Sequence, residues 1–392
     1  MPAHITMWSY LWDLVDDGID ATLASMKSEL GLTALSVATH YHTVEHIRPH
    51  TAGPLIYRAE SSLYFVPDDH RWRHTQMRHQ VAPFVIEDGN PLATVTQRAT
   101  DLGLDVVSWT LCCHSSWLGR TYPHATEHNA MGDRYPEALC PANPQVRAFL
   151  CALADDLSHS YDISLLELES FHYAGTMRHF HHHEKISIPF SALDRFLLGV
   201  CFCEHCVDRA QAAGVDVQSL RARFVDAIRK MLDRGEPTDE PLAGFIARTP
   251  GLAEYVAMRI DAVTSLIGEM RGASDVPLSP IVWAGPEVGG VDGKAISKLT
   301  GGITIAAYHT DVAETQRAIE RGIELTGDAK KLRVGYHTYP PVTPDRQTLL
   351  DNVRASLDLG VEAFSFYHHG IAPKRSLGWV RDAATMIHEH ID

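Results

Sequence analysis

Short apolar runs, each entered through a glycine that follows an amphipathic stretch, recur along the chain. Glu29-Leu30-Gly31-Leu32 leads into Ala34-Leu-Ser-Val-Ala38, Asp101-Leu102-Gly103-Leu104 into Asp105-Val-Val-Ser-Trp109, and Asp358-Leu359-Gly360-Val361 into Ala363-Phe-Ser-Phe-Tyr367. Before the glycines, apolar residues fall at helical spacing: Leu92, Val95, Ala99 and Leu102 in one stretch, Leu349, Val353 and Leu357 in another. The glycine supplies the left-handed residue that ends a helix, and the unbroken apolar run after it reads as a strand covered on both faces. Asn143-Pro144 is an N-cap and first-turn pair opening a helix over 146–157.

The pattern yields eight strand candidates, at about 4–10, 34–40, 105–111, 162–169, 279–285, 303–309, 332–338 and 362–368. Helical stretches separate most of them, so the sheet is expected to be parallel and the fold a (β/α)8 TIM barrel spanning 1–392 as one catalytic domain. A doubly wound sheet fits less well, because no glycine-rich phosphate loop follows the first strand. Three connections exceed ordinary loops, about 41–90, 111–142 and 170–275, and all leave the strands at the end where barrels carry their sites. Alternation in Leu55-Ile-Tyr57 and Leu63-Tyr-Phe-Val66 predicts a small hairpin in the first of them, and Gly235-Glu-Pro-Thr-Asp-Glu-Pro241 a break in the last.

Composition narrows the function. With 392 residues, 45% of them hydrophobic, and a net charge of −15, the chain has material for a large core but no basic stripe for nucleic acid or anionic membrane. It has no apolar run long enough to span a bilayer and an N-terminus unlike a signal peptide, so a cytoplasmic location is expected. Self-association into a homo-oligomer is compatible with all of this. Seven cysteines, three of them in Cys201-Phe-Cys-Glu-His-Cys206, do not make a disulfide framework. The unusual count is 24 histidines.

Many of those histidines fall at strand C-termini, beside aromatic and acidic residues. The strand ends carry Trp8 and Trp12, His40 and His42, Trp109 and His114, Glu167 and Glu169, Trp283 and Glu287, Tyr308, His309 and Asp311, His337 and Tyr339, and Tyr367 and His368. Aromatic faces with His and carboxylate groups around them suit a sugar, whose ring offers C–H faces and a fan of hydroxyls. Period-two alternation turns Ile163, Leu165, Glu167 and Glu169 to one face, so the inward side of the fourth strand changes from apolar to acidic at the mouth. Glu169 is the expected proton donor of a glycoside hydrolase. Glu167, Glu287 or Asp311 is the candidate second carboxylate, in an inverting arrangement. Glu167 has the alternative role of a structural acid paired inside the barrel.

The run Asp162-Ile-Ser-Leu-Leu-Glu167-Leu-Glu169, with Tyr308-His-Thr-Asp311, resembles the fourth- and sixth-strand motifs of chitinase-like barrel glycosidases. Asp162, Glu167 and Glu169 match the first, third and last acids of that run, while Ile163 and Leu165 replace its glycine and middle acid. A wider string, Ala138-Leu-Cys-Pro-Ala-Asn-Pro144, Asp156-Leu-Ser-His-Ser-Tyr161 and the cysteine cluster, resembles bacterial glycosyl hydrolase-like TIM-barrel proteins. These resemblances imply a barrel enzyme acting on a small glycoside or oligosaccharide.

Cys201, Cys203 and Cys206 have the spacing of zinc ligands, with one of His181, His182, His183 or Cys140 as the fourth; His183 is the leading candidate, and the zinc would be structural. No organic cofactor is expected. Two other functions remain in view: a metal-dependent barrel hydrolase or lyase built on the rim histidines, and a sugar-binding barrel without catalysis.

Overall fold

The computed structural model describes residues 3–174 and 188–391. Eight parallel strands form the central sheet: β1 (His4–Ser9), β2 (Ala34–Tyr41), β3 (Asp105–Leu111), β4 (Leu165–Glu169), β5 (Leu278–Pro280), β6 (Ile303–Ala306), β7 (Leu332–His337) and β8 (Ala363–Tyr367). Their order is β5-β4-β3-β2-β1-β8-β7-β6. A parallel bridge between Ile281 and Thr304, with Val282 N donating to Thr304 O at 2.9 Å, brings the two outer strands together and nearly closes a (β/α)8 barrel. All eight strands lie where the apolar runs predict them.

The helices wrap the outside for the reasons the sequence gives. In the helix Pro91–Leu102, Leu92, Val95 and Ala99 are buried, and Gly103 takes φ 66° to turn the chain into β3. Asn143 caps the helix Pro144–Ser160 by accepting from Gln145 N and Val146 N. Leu349, Val353 and Leu357 are buried on the helix Arg346–Asp358.

Inside the barrel, strand side chains alternate and meet in layers. The lower layer is polar. Thr6 and Ser365 hydroxyls are 2.7 Å apart, Ser279 and Thr304 hydroxyls 2.8 Å apart, and Arg333 donates to His4 Nδ1 at 2.6 Å. Glu167 sits among them, fully buried. It accepts from Trp8 Nε1 at 2.7 Å and Ser36 Oγ at 2.8 Å, with Arg333 Nε 3.9 Å away. Gly335 leaves room for the Trp8 indole: a Cβ there would stand 2.6 Å from its ring.

In the first long connection the hairpin is Val44–Ile47 with Ile56–Ala59, not the expected 55–57 with 63–66; Ser62–Leu63 instead pairs antiparallel with β2. Ile47, Leu55 and Ile56 are exposed at 61%, 61% and 60%, so their apolar character does not mark a core position. Arg48, buried beside this hairpin, fastens it to the segment after β1 through Asp13 at 3.2 Å and Asp16 at 2.7 Å. Burial raises the Asp13 carboxyl to about 7 despite the Arg48 guanidinium.

The second connection holds a hairpin of Thr126–His128 with Arg134–Leu139. Asn129 closes its turn by accepting from Met131 N and Asp133 N. The described part of the third is mostly helical, and Gly235, at φ 70°, ends the helix Val217–Arg234 before the next begins at Leu242. No helix among the described residues is long and apolar enough to cross a membrane.

Candidate active site at the barrel mouth

A cavity of about 680 Å³ opens at the carboxyl ends of the strands. Of the residues singled out from sequence, it gathers Trp8, Trp109, His114, Glu169, Trp283, Tyr308, His337 and Tyr367. The rings form a continuous angled wall. Trp8 and Trp109 lie 6.3 Å apart at 56°, each is 6.0 Å from Tyr367, and Trp283 meets Tyr308 at 5.7 Å and 71°.

Glu169 ends β4, one inward position above Glu167. Trp109 Nε1 donates to Glu169 Oε2 at 2.7 Å, repeating the Trp8–Glu167 pairing one layer up. Each indole N–H is thus given to a glutamate, and what the cavity receives from these two tryptophans is ring face. Ser170 follows in the left-handed region, φ 53°, a conformation that costs a non-glycine residue on the order of 1–3 kcal/mol. The backbone is held there by Cys112 N donating to Glu169 O and Cys113 N to Ser170 O, both at 2.8 Å. Burial raises the Tyr41 and Tyr308 hydroxyls well above their ordinary range and Tyr367 to about 12, so all three stay protonated at neutral pH. Burial lowers His337, which is neutral there. Among the described lining residues, Glu169 is the sole carboxylate.

The other candidates stand elsewhere. Glu167 lies beneath the cavity, inside the polar layer. Burial raises its carboxyl, opposed by Arg333 and by the Ser36, Trp8 and Thr304 donors. The Glu287 carboxylate is exposed and does not line the cavity; its carbonyl accepts from Arg259 Nη1. Asp311 caps the helix Val312–Thr326, accepting from Ala313 N at 2.7 Å.

Trp12 is buried between Tyr10 and Tyr57, at 4.3 and 4.7 Å. His368 is buried against Tyr10, and His42 stacks on His114 at 4.5 Å without itself lining the cavity. His309 sits 3.5 Å from Glu314, and Tyr339 packs on His337 at 4.0 Å and faces a neighbouring groove with His46 and Pro340.

His40 faces outward, bonded through Nδ1 to Leu111 O and packed on Phe149. The cause is a register shift between Ala38 and His40 in the pairing of β2 with β3. Ser36 points into the barrel toward Glu167; the extra residue reverses the parity above it and turns Tyr41, not His40, into the cavity. Tyr41, Cys113, Ser170 and His172 also line the cavity, beside small and apolar residues such as Ala174, Ile281 and Val342. Burial raises the Cys113 thiol, so it holds its proton at neutral pH.

The rim histidines do not converge as metal ligands. Among the described residues, the group of His, Cys, Asp or Glu ligand atoms gathered within 4.8 Å of one another is Cys140, Cys201, Cys203 and Cys206. Cys140 Sγ lies 3.5 Å from those of Cys203 and Cys206 and 4.0 Å from that of Cys201. His128 N and Cys203 N each approach Cys201 Sγ at 3.5 Å, and the Tyr173 hydroxyl stands 3.4 Å from Cys206 Sγ. Hydrogen bonding within the cluster pulls the Cys203 thiol well below its usual range, while burial raises Cys140 and Cys201. Cys140 thus joins the three spaced cysteines; His181, His182 and His183 lie outside the described residues.

Comparison with known proteins places the fold. The α-L-fucosidase isoenzyme 2 from Paenibacillus thiaminolyticus superposes with a TM-score of 0.56 at 10% identity, covering 99% of this chain and 49% of its own. The β-galactosidase from psychrophilic Marinomonas ef1 does so with a TM-score of 0.58 at 9% identity, covering 98% of this chain and 59% of its own. The chain therefore spans about half to three-fifths of these structures, and the likeness is one of fold. No family model matches the sequence, and no curated protein resembles it closely enough to count as a relative. The resemblance to chitinase-like and glycosyl hydrolase-like barrels rests on the motifs alone.

Proposed function

We propose that the protein is a glycoside hydrolase, its barrel and three insertions acting as one catalytic domain, with Glu169 donating the proton to the leaving oxygen. The observation that carries this reading is the position of Glu169: a carboxyl at the mouth of the barrel, oriented by the Trp109 indole and set among the faces of Trp8, Trp109 and Tyr367. A sugar ring stacks its C–H faces on such walls, and the tyrosine hydroxyls and rim imidazoles offer partners for its hydroxyls. The glycosidase fold of the two neighbours supports the same class of chemistry by analogy.

The test is turnover of a broad panel of glycosides and oligosaccharides, followed by mass spectrometry, for wild type and Glu169→Gln. Cleavage by wild type and a loss of about 10²–10⁴-fold in the variant is the expected outcome. Activity that survives the substitution removes Glu169 as the acid. Tight sugar binding without turnover in either protein makes the barrel a carbohydrate-binding protein.

The same reading includes a structural zinc held by Cys140, Cys201, Cys203 and Cys206. A Zn–S bond of about 2.3 Å sets tetrahedral sulfurs about 3.8 Å apart, close to the 3.5 and 4.0 Å separations from Cys140. The N–H and O–H groups around the sulfurs are the donors such a thiolate centre uses. Zinc there supplies folding energy and no chemistry at the cavity.

A further inference from the structure

Glycoside hydrolysis by two carboxylates needs a second acid, and the cavity offers none among its described lining residues. Glu167 is sealed below, holding Trp8 and Ser36, while Glu287 and Asp311 do not line the cavity. We propose that His337 fills this place as the general base that activates water, an assignment that rests on the glycosidase reading above.

Four observations carry it. His337 ends β7 and lines the cavity with Glu169, which ends β4. In a ring of eight strands these two stand three strands apart, so they reach the cavity from different sides of the mouth, the separation that an acid and a base on opposite faces of a sugar call for. His114 and His172 also line the cavity, but they follow β3 and β4, on the same side as Glu169.

Third, the tautomer is fixed. His337 Nδ1 lies 3.0 Å from the Tyr339 carbonyl, which only accepts, so Nδ1 carries the proton and Nε2 keeps a lone pair. Fourth, the ring is clamped: Tyr339, Tyr308 and Tyr367 stand at 4.0, 5.4 and 5.7 Å, and Thr343 Oγ1 donates to the His337 carbonyl. Half-burial keeps the imidazole neutral at neutral pH, the form a base requires.

In the step, Nε2 takes a proton from water as its oxygen bonds to the anomeric carbon. The bond from that carbon to the leaving oxygen breaks, and the leaving oxygen takes its proton from Glu169. The products are two alcohols, a Glu169 carboxylate and a His337 imidazolium. Proton exchange with solvent restores both groups. No covalent glycosyl intermediate forms, so the anomeric configuration inverts.

The experiment compares wild type, His337→Ala, His337→Asn and Glu169→Gln on glycosides of the substrate sugar with poor (phenyl) and good (dinitrophenyl) leaving groups. His337→Ala is expected to lose kcat by about 10²–10⁴-fold on both, with KM little changed and part of kcat restored by added imidazole. His337→Asn, whose amide can still donate to Tyr339 O, keeps the fold and shows the same loss. Glu169→Gln should lose far more on phenyl than on dinitrophenyl glycosides, and nuclear magnetic resonance should find the inverted anomer first. A raised KM with kcat intact in both His337 variants, or retained configuration, overturns the assignment and leaves the glycosidase reading standing. A wild type that cleaves no glycoside overturns both.

Discussion

At the scale of single residues, two adjacent inward glutamates on one strand have different roles, set by one layer of depth. Glu167 is enclosed by donors and an arginine and holds the barrel layer together; Glu169 accepts from the Trp109 indole and lines the cavity. Sequence alternation gives their shared direction but not their depth, because depth depends on strands far away in the chain. The residue after Glu169 carries the strain: replacing Ser170 with glycine removes the left-handed penalty and should raise unfolding stability by about 1 kcal/mol, measured by urea denaturation. An unchanged midpoint would mean that Ser170 makes up the cost through its own side chain.

Asp13 gives a pH-dependent prediction at the same scale. Its carboxyl is raised from 3.8 to about 7 in the folded protein, so the native state binds a proton that the unfolded state has released. Its contribution is full below pH 3.8 and is lost as pH rises through about 7. Asp13→Asn should remove that part of the slope, so wild type minus variant stability falls by a few kcal/mol between pH 4 and pH 8. A difference that stays flat across that window refutes the shift.

At the scale of elements, the sequence was readable wherever one periodicity held without interruption. The eight strands and their capping signals, Gly103 and Asn143 among them, follow from local rules. The reading failed at β2, where one extra residue exchanged His40 for Tyr41, since nothing local in Ala38-Thr-His-Tyr41 marks a bulge. It also failed in the first insertion, where Val44–Ile47 pairs with Ile56–Ala59 through exposed apolar residues that look like core.

Cys140 is the reverse case: a cysteine remote in sequence that the fold delivers to three others. The cluster links the loop after β3 to the insertion after β4, which also supplies Ser170, His172 and Ala174 to the cavity wall. Purified protein should hold about one zinc per chain. Cys140→Ser with Cys206→Ser should release it, lower the melting temperature, and speed amide exchange at 125–128 and 171–174. Full zinc content in the double variant would remove these cysteines as ligands.

At the scale of the whole molecule, the barrel brings the carboxyl ends of strands that are far apart in sequence to one rim, which is why residues from Trp8 to Tyr367 share a cavity. The fold class was legible because repeated strand–helix order leaves few topologies. The membership of the site was legible only in outline, because strand ends place residues near the mouth without fixing which way they turn.

The three tryptophans of that rim give the protein an optical readout of its own. Trp8 and Trp109 are buried with their N–H groups held by glutamates, whereas Trp283 is 45% exposed at the entrance. A ligand that covers Trp283 takes its indole out of water and should shift its emission to the blue. One that reaches Trp8 and Trp109 should change their quantum yield at nearly fixed wavelength. A titration followed by fluorescence would therefore register an occupant, and how deep it sits, before any reaction is known.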